Sequence, residues 1–380
     1  MPISIGKFFS RFKDINDQFH GNSYTSISTQ DPNDVLISQE INRIPTSYSM
    51  SFLEKKTFFT PSVHDGTVGC LAAVRPGMVI SGGSDSVISL NNIDTGKCVL
   101  KWLGHLNEIT KVGYKNTGGK HYILSGSRDA TLKLWQFNKQ TTEQTFKGHN
   151  LTITGLAILE DGKIISGSRD TTLKLWDINT GKIIYQVERS RNLVTHMSLS
   201  SATNKIAQSS EDKEIKIWDV KNLELINVMP KKNHIQTHVD ISTDGFYCLS
   251  TSNGFNGDGC EITLWDLRTN KILREFKGHE TSVTSAVFLP QQITWKKLML
   301  STSAMGTVKI WNIDDGNCVW TEELPIKCDI LAGVGFNDGN IVVSGTSGVL
   351  CHLCLLGRAG RPYLKTISIQ TDSMISEKTV

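Results

Sequence analysis

Apolar and polar residues alternate along this chain in short runs, and five of those runs close on tryptophan, at Trp135, Trp176, Trp218, Trp265 and Trp311. A run such as Thr131-Leu132-Lys133-Leu134 has the period of two that sends its apolar side chains to one face of a β-strand. Successive tryptophans stand 41, 42, 47 and 46 residues apart. A period of that length predicts a four-stranded sheet per repeat, with neighbouring sheets stacked as the blades of a propeller.

The repeat carries its own ruler. In SGSRDATLKLW (Ser125 to Trp135) and SGSRDTTLKLW (Ser166 to Trp176), a serine lies ten residues and an aspartate six residues before the tryptophan. The same offsets pick out Ser81 and Asp85 before Asn91, and Ser344 before Cys354. Two degenerate copies therefore join the five clear ones, predicting an all-β, seven-bladed propeller over residues 53–369, with blades near 64–102, 105–146, 149–187, 190–228, 232–276, 279–321 and 328–369.

An open ring would leave two uncovered sheets with exposed edges, so closure is expected near both ends of this region. Lys56-Thr57-Phe58-Phe59-Thr60 reads as an outer strand completing the last blade, and Tyr363 to Ile369 competes for the same slot.

The repeated polar residues resemble catalytic groups when taken singly. His105, Ser125, Asp129 and Trp135 recur as His149, Ser166, Asp170 and Trp176. Recurrence argues for a structural role, because a catalytic triad is needed once. Together these residues resemble the WD40-repeat family from about residue 57 to 357. That resemblance implies a hydrogen-bonded quartet in each full blade, tying the loop before the blade to its central strands. Only blades two and three are expected to hold the full set. Asn91 replaces tryptophan in blade one, Arg189 and Ser190 stand at the usual Gly-His of blade four, and Met305 replaces the aspartate of blade six.

In propellers of this family, loops entering each blade and turns between its second and third strands share the usual partner-binding rim. Arg128, Arg169, Arg189, Arg191, Lys231 and Lys232 fall there, against Glu108, Glu188 and Glu211, which suggests a patch for an acidic or phosphorylated peptide. Blade five inserts Ser252-Asn253-Gly254-Phe255-Asn256-Gly257-Asp258-Gly259-Cys260 between two strands, a compact loop expected to expose Phe255 as a partner anchor. Its glycine order is not that of a dinucleotide loop, and it lacks the spaced acids of an EF-hand.

Before the repeats, Ile5, Phe8, Phe9 and Phe12 keep helical spacing beside Lys7, Arg11 and Lys13, predicting an amphipathic basic helix over 1–20 for a membrane surface or partner. Residues 21–52 read as a flexible linker and 370–380 as a disordered tail. A net charge of +3 gives nucleic-acid binding little support. Apolar stretches are strand-sized, and eight cysteines without a shared spacing suggest buried thiols in a reducing, cytoplasmic compartment. Cys351 and Cys354 form a C-x-x-C on a predicted strand, where residues three apart face opposite ways, so no metal is expected. No enzyme activity, cofactor or small-molecule substrate is predicted, since no unique nucleophile or phosphate loop remains.

Longer strings, HLNEITKV (His105 to Val112), SRNLVTH (Ser190 to His196), HIQT (His234 to Thr237) and SNGFNGDGCEITLWDLR (Ser252 to Arg268), resemble the WD repeat-containing protein 31 branch of that family. This implies a scaffold at the cilium or ciliary base, serving intraflagellar transport, with ciliary transport or small-GTPase regulatory proteins as partners. Trp265-Asp266-Leu267-Arg268 also matches the W-D-x-R pattern of propellers that deliver substrates to cullin-type ubiquitin ligases, with Arg268 docking the adaptor.

Overall fold

The computed structural model describes residues 57–371 apart from 118, 138–139, 190–191, 291–296 and 357–361. The predicted N-terminal helix, linker and tail lie outside the described residues. What is described contains strands and turns throughout, arranged as seven sheets in a ring.

Six sheets are four-stranded meanders. Blade three is typical, running Ile153–Ile158, Lys163–Ser168, Thr172–Asp177 and Ile183–Glu188, each strand antiparallel to the next. Its second and third strands are buried throughout except at their ends, whereas the fourth is largely exposed. This gradient follows from position: the middle strands are sandwiched between neighbouring blades, and the last forms the outer wall. The first strand of each blade touches the first strand of the next, and that of blade seven (Ile330–Gly335) touches that of blade one (Val68–Arg75), closing the ring around a central channel.

Tryptophans fill the spaces between sheets. Trp135, Trp176, Trp218, Trp265 and Trp311 are fully buried, and Trp176 packs with Leu124, Leu132 and Phe146 of the preceding blade. Burying one such ring removes on the order of 200 Å² from water, so a Trp→Ala change in this setting costs about 3–5 kcal/mol.

Blade seven resolves the competition for the closing strand in favour of both segments. Tyr363–Thr371 takes the fourth position, antiparallel to Leu350–Leu356, and Phe58–Pro61 adds a fifth strand outside it, parallel, with Phe58 opposite Ser368. The expectation that residues 56–60 would themselves complete the last blade is therefore corrected. The fourth slot needs antiparallel pairing in continuation of a meander, which the chain leaving Leu356 supplies directly, while a strand arriving from the other direction is left the outer edge.

Every first strand carries a β-bulge at the same place. The register shifts between Val68 and Cys70, Ile109 and Lys111, Ile153 and Gly155, Val194 and His196, Gln236 and His238, Val283 and Ser285, and Ile330 and Ala332. A bulge re-aims the side chain of its extra residue, and here it turns five threonines sideways toward the next blade.

Candidate functional site

The quartets form continuous chains. In blade two, His105 Nδ1 donates to Asp129 at 2.7 Å, its Nε2 accepts from the Ser125 hydroxyl at 2.7 Å, and Ser125 accepts from Trp135 Nε1 at 2.8 Å. Blade three repeats this with 2.8, 2.7 and 2.8 Å at His149, Asp170, Ser166 and Trp176. The carboxylate fixes the imidazole tautomer, so each buried polar atom has a partner of the right sense. Burial opposes ionisation of Asp129 and Asp170, yet hydrogen bonds from the histidine, a threonine hydroxyl and a backbone N–H outweigh it and hold both well below the usual carboxylate range. Each serine is buried under its tryptophan and has no path to a substrate. The arrangement braces a loop; it is not built to attack a carbonyl.

Other blades improvise around the same plan. In blade one, Asn91 Nδ2 donates to Ser81 at 2.8 Å, standing in for the missing indole, while His64 bonds both Ser81 and Asp85. Blade one thus lacks the tryptophan, as its sequence reads, yet its polar chain is connected from Asp85 to Asn91. Blade four substitutes amides: Trp218 Nε1 donates to Gln208, whose own amide donates to Asn192 at 2.6 Å. Blade six lacks the carboxylate, and His279 Nδ1 is buried without a partner among the described residues. Burial, with Lys309 nearby, pushes that imidazole down to about 4.

These braces fix which loops share a rim. The predicted cations on it are less free than their number suggests. Arg128 pairs with Glu108 at 2.9 Å, Arg169 with Glu211 at 2.7 Å, and Lys232 lies between Glu261 and Glu275. Glu275 reaches the rim from the fourth strand of blade five, and Glu261 from the residue just before its third strand. Arg189 and Lys231 are exposed and carry no ion pair among the described residues, and Arg191 lies outside the described residues. The basic patch therefore shrinks to two open cations beside neutralised pairs.

Apolar side chains stand out instead. Phe255 is 72% exposed, Leu106 91% and Met305 73%, with Leu151 also exposed, all on entering loops or second-to-third-strand turns. The blade-five insertion is a small hairpin: Phe255 and Asp258 exchange backbone hydrogen bonds around Asn256 and Gly257, both at positive φ (52° and 81°), the Asn-Gly arrangement of a type I′ turn. Gly257 also donates to Glu280 at 2.9 Å, and Phe255 bridges to Thr281, so the hairpin is anchored to the loop entering blade six. A Cβ on Gly254 would stand 2.0 Å from the Asp258 carbonyl oxygen, so the loop closes only with glycine there.

Arg268 lies elsewhere, in the turn after the third strand of blade five. Its guanidinium forks onto Asp266 at 3.0 and 2.9 Å, donates to Tyr247 Oη at 3.1 Å, and lies over the Phe246 and Tyr247 rings. Ile5, Phe8, Phe9 and Phe12 lie outside the described residues. Cys351 and Cys354 are buried thiols that burial pushes upward, the latter to about 11, and no cluster of three or more metal-ligating side chains occurs among the described residues.

Comparison with known proteins agrees with this geometry. The family model for the WD domain, G-beta repeat, matches residues 96–136, 140–177 and 270–312. Cell division control protein 4 of Saccharomyces cerevisiae is 28% identical over 137 residues, 36% of this chain and 17% of that protein. Pre-mRNA-processing factor 19 of Mus musculus is 35% identical over 74 residues, 19% of this chain and 14% of that protein. The p21-activated protein kinase-interacting protein 1-like protein of Xenopus laevis is 26% identical over 257 residues, 67% of each chain. This chain thus spans less than a fifth of the first two relatives and two thirds of the third. Propellers of this type are typically non-catalytic scaffolds that bind other proteins. With seven sheets closed into one ring, the chain is a seven-bladed propeller carrying WD40 repeats.

Proposed function

We propose that this protein is a non-catalytic adaptor whose rim, between the Leu106 loop and the Met305 turn, docks a protein partner. The observation that carries this reading is Phe255, raised on a hairpin that is closed by a reciprocal pair of backbone hydrogen bonds and tied to the loop entering blade six, with its ring in solvent. A rigidly presented aromatic loses little entropy on binding and is the residue type most often dominant in an interface. Exposed Leu106, Leu151 and Met305 widen the apolar surface, and Arg189 and Lys231 supply charge for an acidic segment at its border.

The partners we infer are ciliary transport or small-GTPase regulatory proteins, with the cilium or its base as the place of action. Support for this comes from the strings around His105, Ser190, His234 and Ser252. The test is affinity purification of the full chain from ciliated cells beside a Phe255→Ala, Leu106→Ala variant. Loss of ciliary transport components from the variant is the expected outcome; recovery of the same proteins by both overturns it. Tagging the full chain and a version lacking residues 1–20 assigns anchoring: targeting lost in the truncation alone places it in that segment.

A second reading is favoured by one observation. Arg268 is held rigid by Asp266 and Tyr247 yet remains about half exposed beside Phe246, a preorganised cation suited to an adaptor of a cullin-type ligase. Recovery of such an adaptor by the native chain and its loss with Arg268→Ala supports this reading; absence of the adaptor from both removes it.

A further inference from the structure

The residue after each bulge occupies equivalent positions around the channel, and three of the seven bear side chains that can be cationic. These are Lys111 in blade two, His196 in blade four and His238 in blade five. The other four positions hold Cys70, Gly155, Ser285 and Ala332, so the ring contains no acid. Gly155 stands between Lys111 and His196 and contributes no side chain of its own; the Met197 side chain packs against it. All three side chains retain partial contact with solvent despite their depth.

The histidines are stacked, with ring centroids 3.8 Å apart and planes at 29°. His196 Nδ1 donates to the Val239 carbonyl at 3.1 Å, which leaves its Nε2 free. His238 Nδ1 is buried with no hydrogen-bond partner among the described residues. No carboxylate pairs with Lys111 or either ring among the described residues. The nearest acid along the strand, Asp240, has its oxygens engaged by Ser198 at 2.9 Å, the Ile241 N–H at 3.1 Å and the Phe288 N–H at 3.0 Å. Burial drives Lys111 down to about 8, and burial together with the Lys111 charge drives both imidazoles below their ordinary range. Three basic groups thus crowd one level of the channel with nothing to neutralise them.

We propose that this level of the channel is a binding site for a phosphate-class oxyanion, held between Lys111, His196 and His238. Such an anion supplies the missing counter-charge, accepts from the Lys111 ammonium, and lets the stacked imidazoles take up protons and donate. The site is independent of the rim. Its ligand is either free phosphate or the phosphate of a small ester, since the recognising chemistry is the same.

The test is isothermal titration of the full chain at pH 7 with sodium phosphate, against sodium chloride at equal ionic strength. Saturable binding to the native chain, weakened at least tenfold by Lys111→Met and unchanged by Lys221→Met at an exposed turn, is expected. No binding beyond the chloride control, or equal binding by the Lys111→Met protein, overturns the site. Should Lys111→Met not fold, the imidazole resonances of His196 and His238 in the native protein decide: phosphate must shift them while leaving those of His105 and His149 in place, and unmoved resonances refute the proposal. Glycerol phosphate in parallel identifies the ligand, an ester if it binds more tightly and the free anion if it binds less tightly.

Discussion

Thr195 of blade four donates its hydroxyl to the carbonyl of Gln236 in blade five across 2.6 Å. The link repeats around the ring: Thr110 reaches Ile153, Thr154 reaches Val194, Thr237 reaches Val283 and Thr284 reaches Ile330. Each of these threonines is the bulged residue of a first strand, so a backbone irregularity and a side-chain bond are two sides of one device. Leu331 and Gly69 occupy the corresponding positions in blades seven and one. The belt is therefore interrupted on both sides of blade one, where the thiol of Cys70 makes a weaker contact with the Ile109 carbonyl at 3.8 Å.

Removing one belt hydroxyl without changing shape isolates its worth. Thr195→Val is expected to lower stability by about 1–2 kcal/mol, because the Gln236 carbonyl and the Ser209 hydroxyl both lose a partner. Urea unfolding of both proteins measures it, and an unchanged midpoint would mean that water replaces the hydroxyl at no cost.

The interruption predicts where the ring opens first. Native-state hydrogen exchange should find lower opening free energies for amides in Val68–Arg75 and Ile330–Gly335 than in Val194–Ser200 and Gln236–Ile241. Uniform protection around the ring would contradict this.

Asp170 and Met305 occupy equivalent places with different consequences. Asp170 accepts from His149, the Asn150 and Thr172 N–H groups and the Thr172 hydroxyl, so Asp170→Ala should cost about 3 kcal/mol. Met305 is exposed and sits at a φ of 76°, a strained setting for its side chain; Met305→Asn should raise stability by about 0.5–1 kcal/mol. Thermal denaturation of the two variants should move in opposite directions.

Acid should destabilise the protein well above the carboxylate range. Burial lowers His238 to about 3 and His279 to about 4, and lowers His196 in the same direction. Histidines of the unfolded chain take up protons near pH 6.5, so between that pH and about 4 the unfolded state binds more protons and stability falls with pH. Asp240 acts in the opposite sense: burial raises it to about 6, so the native state keeps a proton that the unfolded chain has lost, and one histidine's share is cancelled. Below about pH 4 the depressed Asp129 and Asp170 add their own loss. Replacing His279 by Gln should flatten the slope between pH 4 and 6.5 in denaturant titrations; an unaltered slope would show that this imidazole is protonated in the native state.

The blade-five hairpin separates binding from folding. Gly254→Ala collides with the Asp258 carbonyl and should abolish partner capture while shifting the melting temperature by only a few degrees, since the hairpin lies outside the buried strands. Pull-down and calorimetry on the same preparation distinguish this from general unfolding.

The blade count and the quartets could be read from the chain because tryptophan, serine and aspartate recur at fixed offsets and each is demanded by burial. Asn91, Gln208 and Asn192 were opaque, since an amide can replace an indole or imidazole only where the partner's position is known. Which strand would close blade seven was equally hidden: Phe58–Pro61 and Tyr363–Thr371 both read as strands, and strand direction decides between them. The paired state of Arg128, Arg169 and Lys232 depended on acids 20 or more residues away, Glu211 of the next blade for Arg169 and Glu108 and Glu275 of the same blade for Arg128 and Lys232, which linear spacing does not bring together. The threonine belt, by contrast, was available in the sequence as a threonine at the second position of the first strand in five blades, but its meaning depends on the bulge.

The parallel pairing of Phe58–Pro61 with Tyr363–Thr371 sets an order of events during synthesis. The earliest of the described strands finds its hydrogen-bonding neighbour among the last residues of the ring to be made. Until then, six complete blades can assemble on the ribosome while that leading segment waits without a mate, so the whole of the seventh blade must be synthesised before the circle is latched.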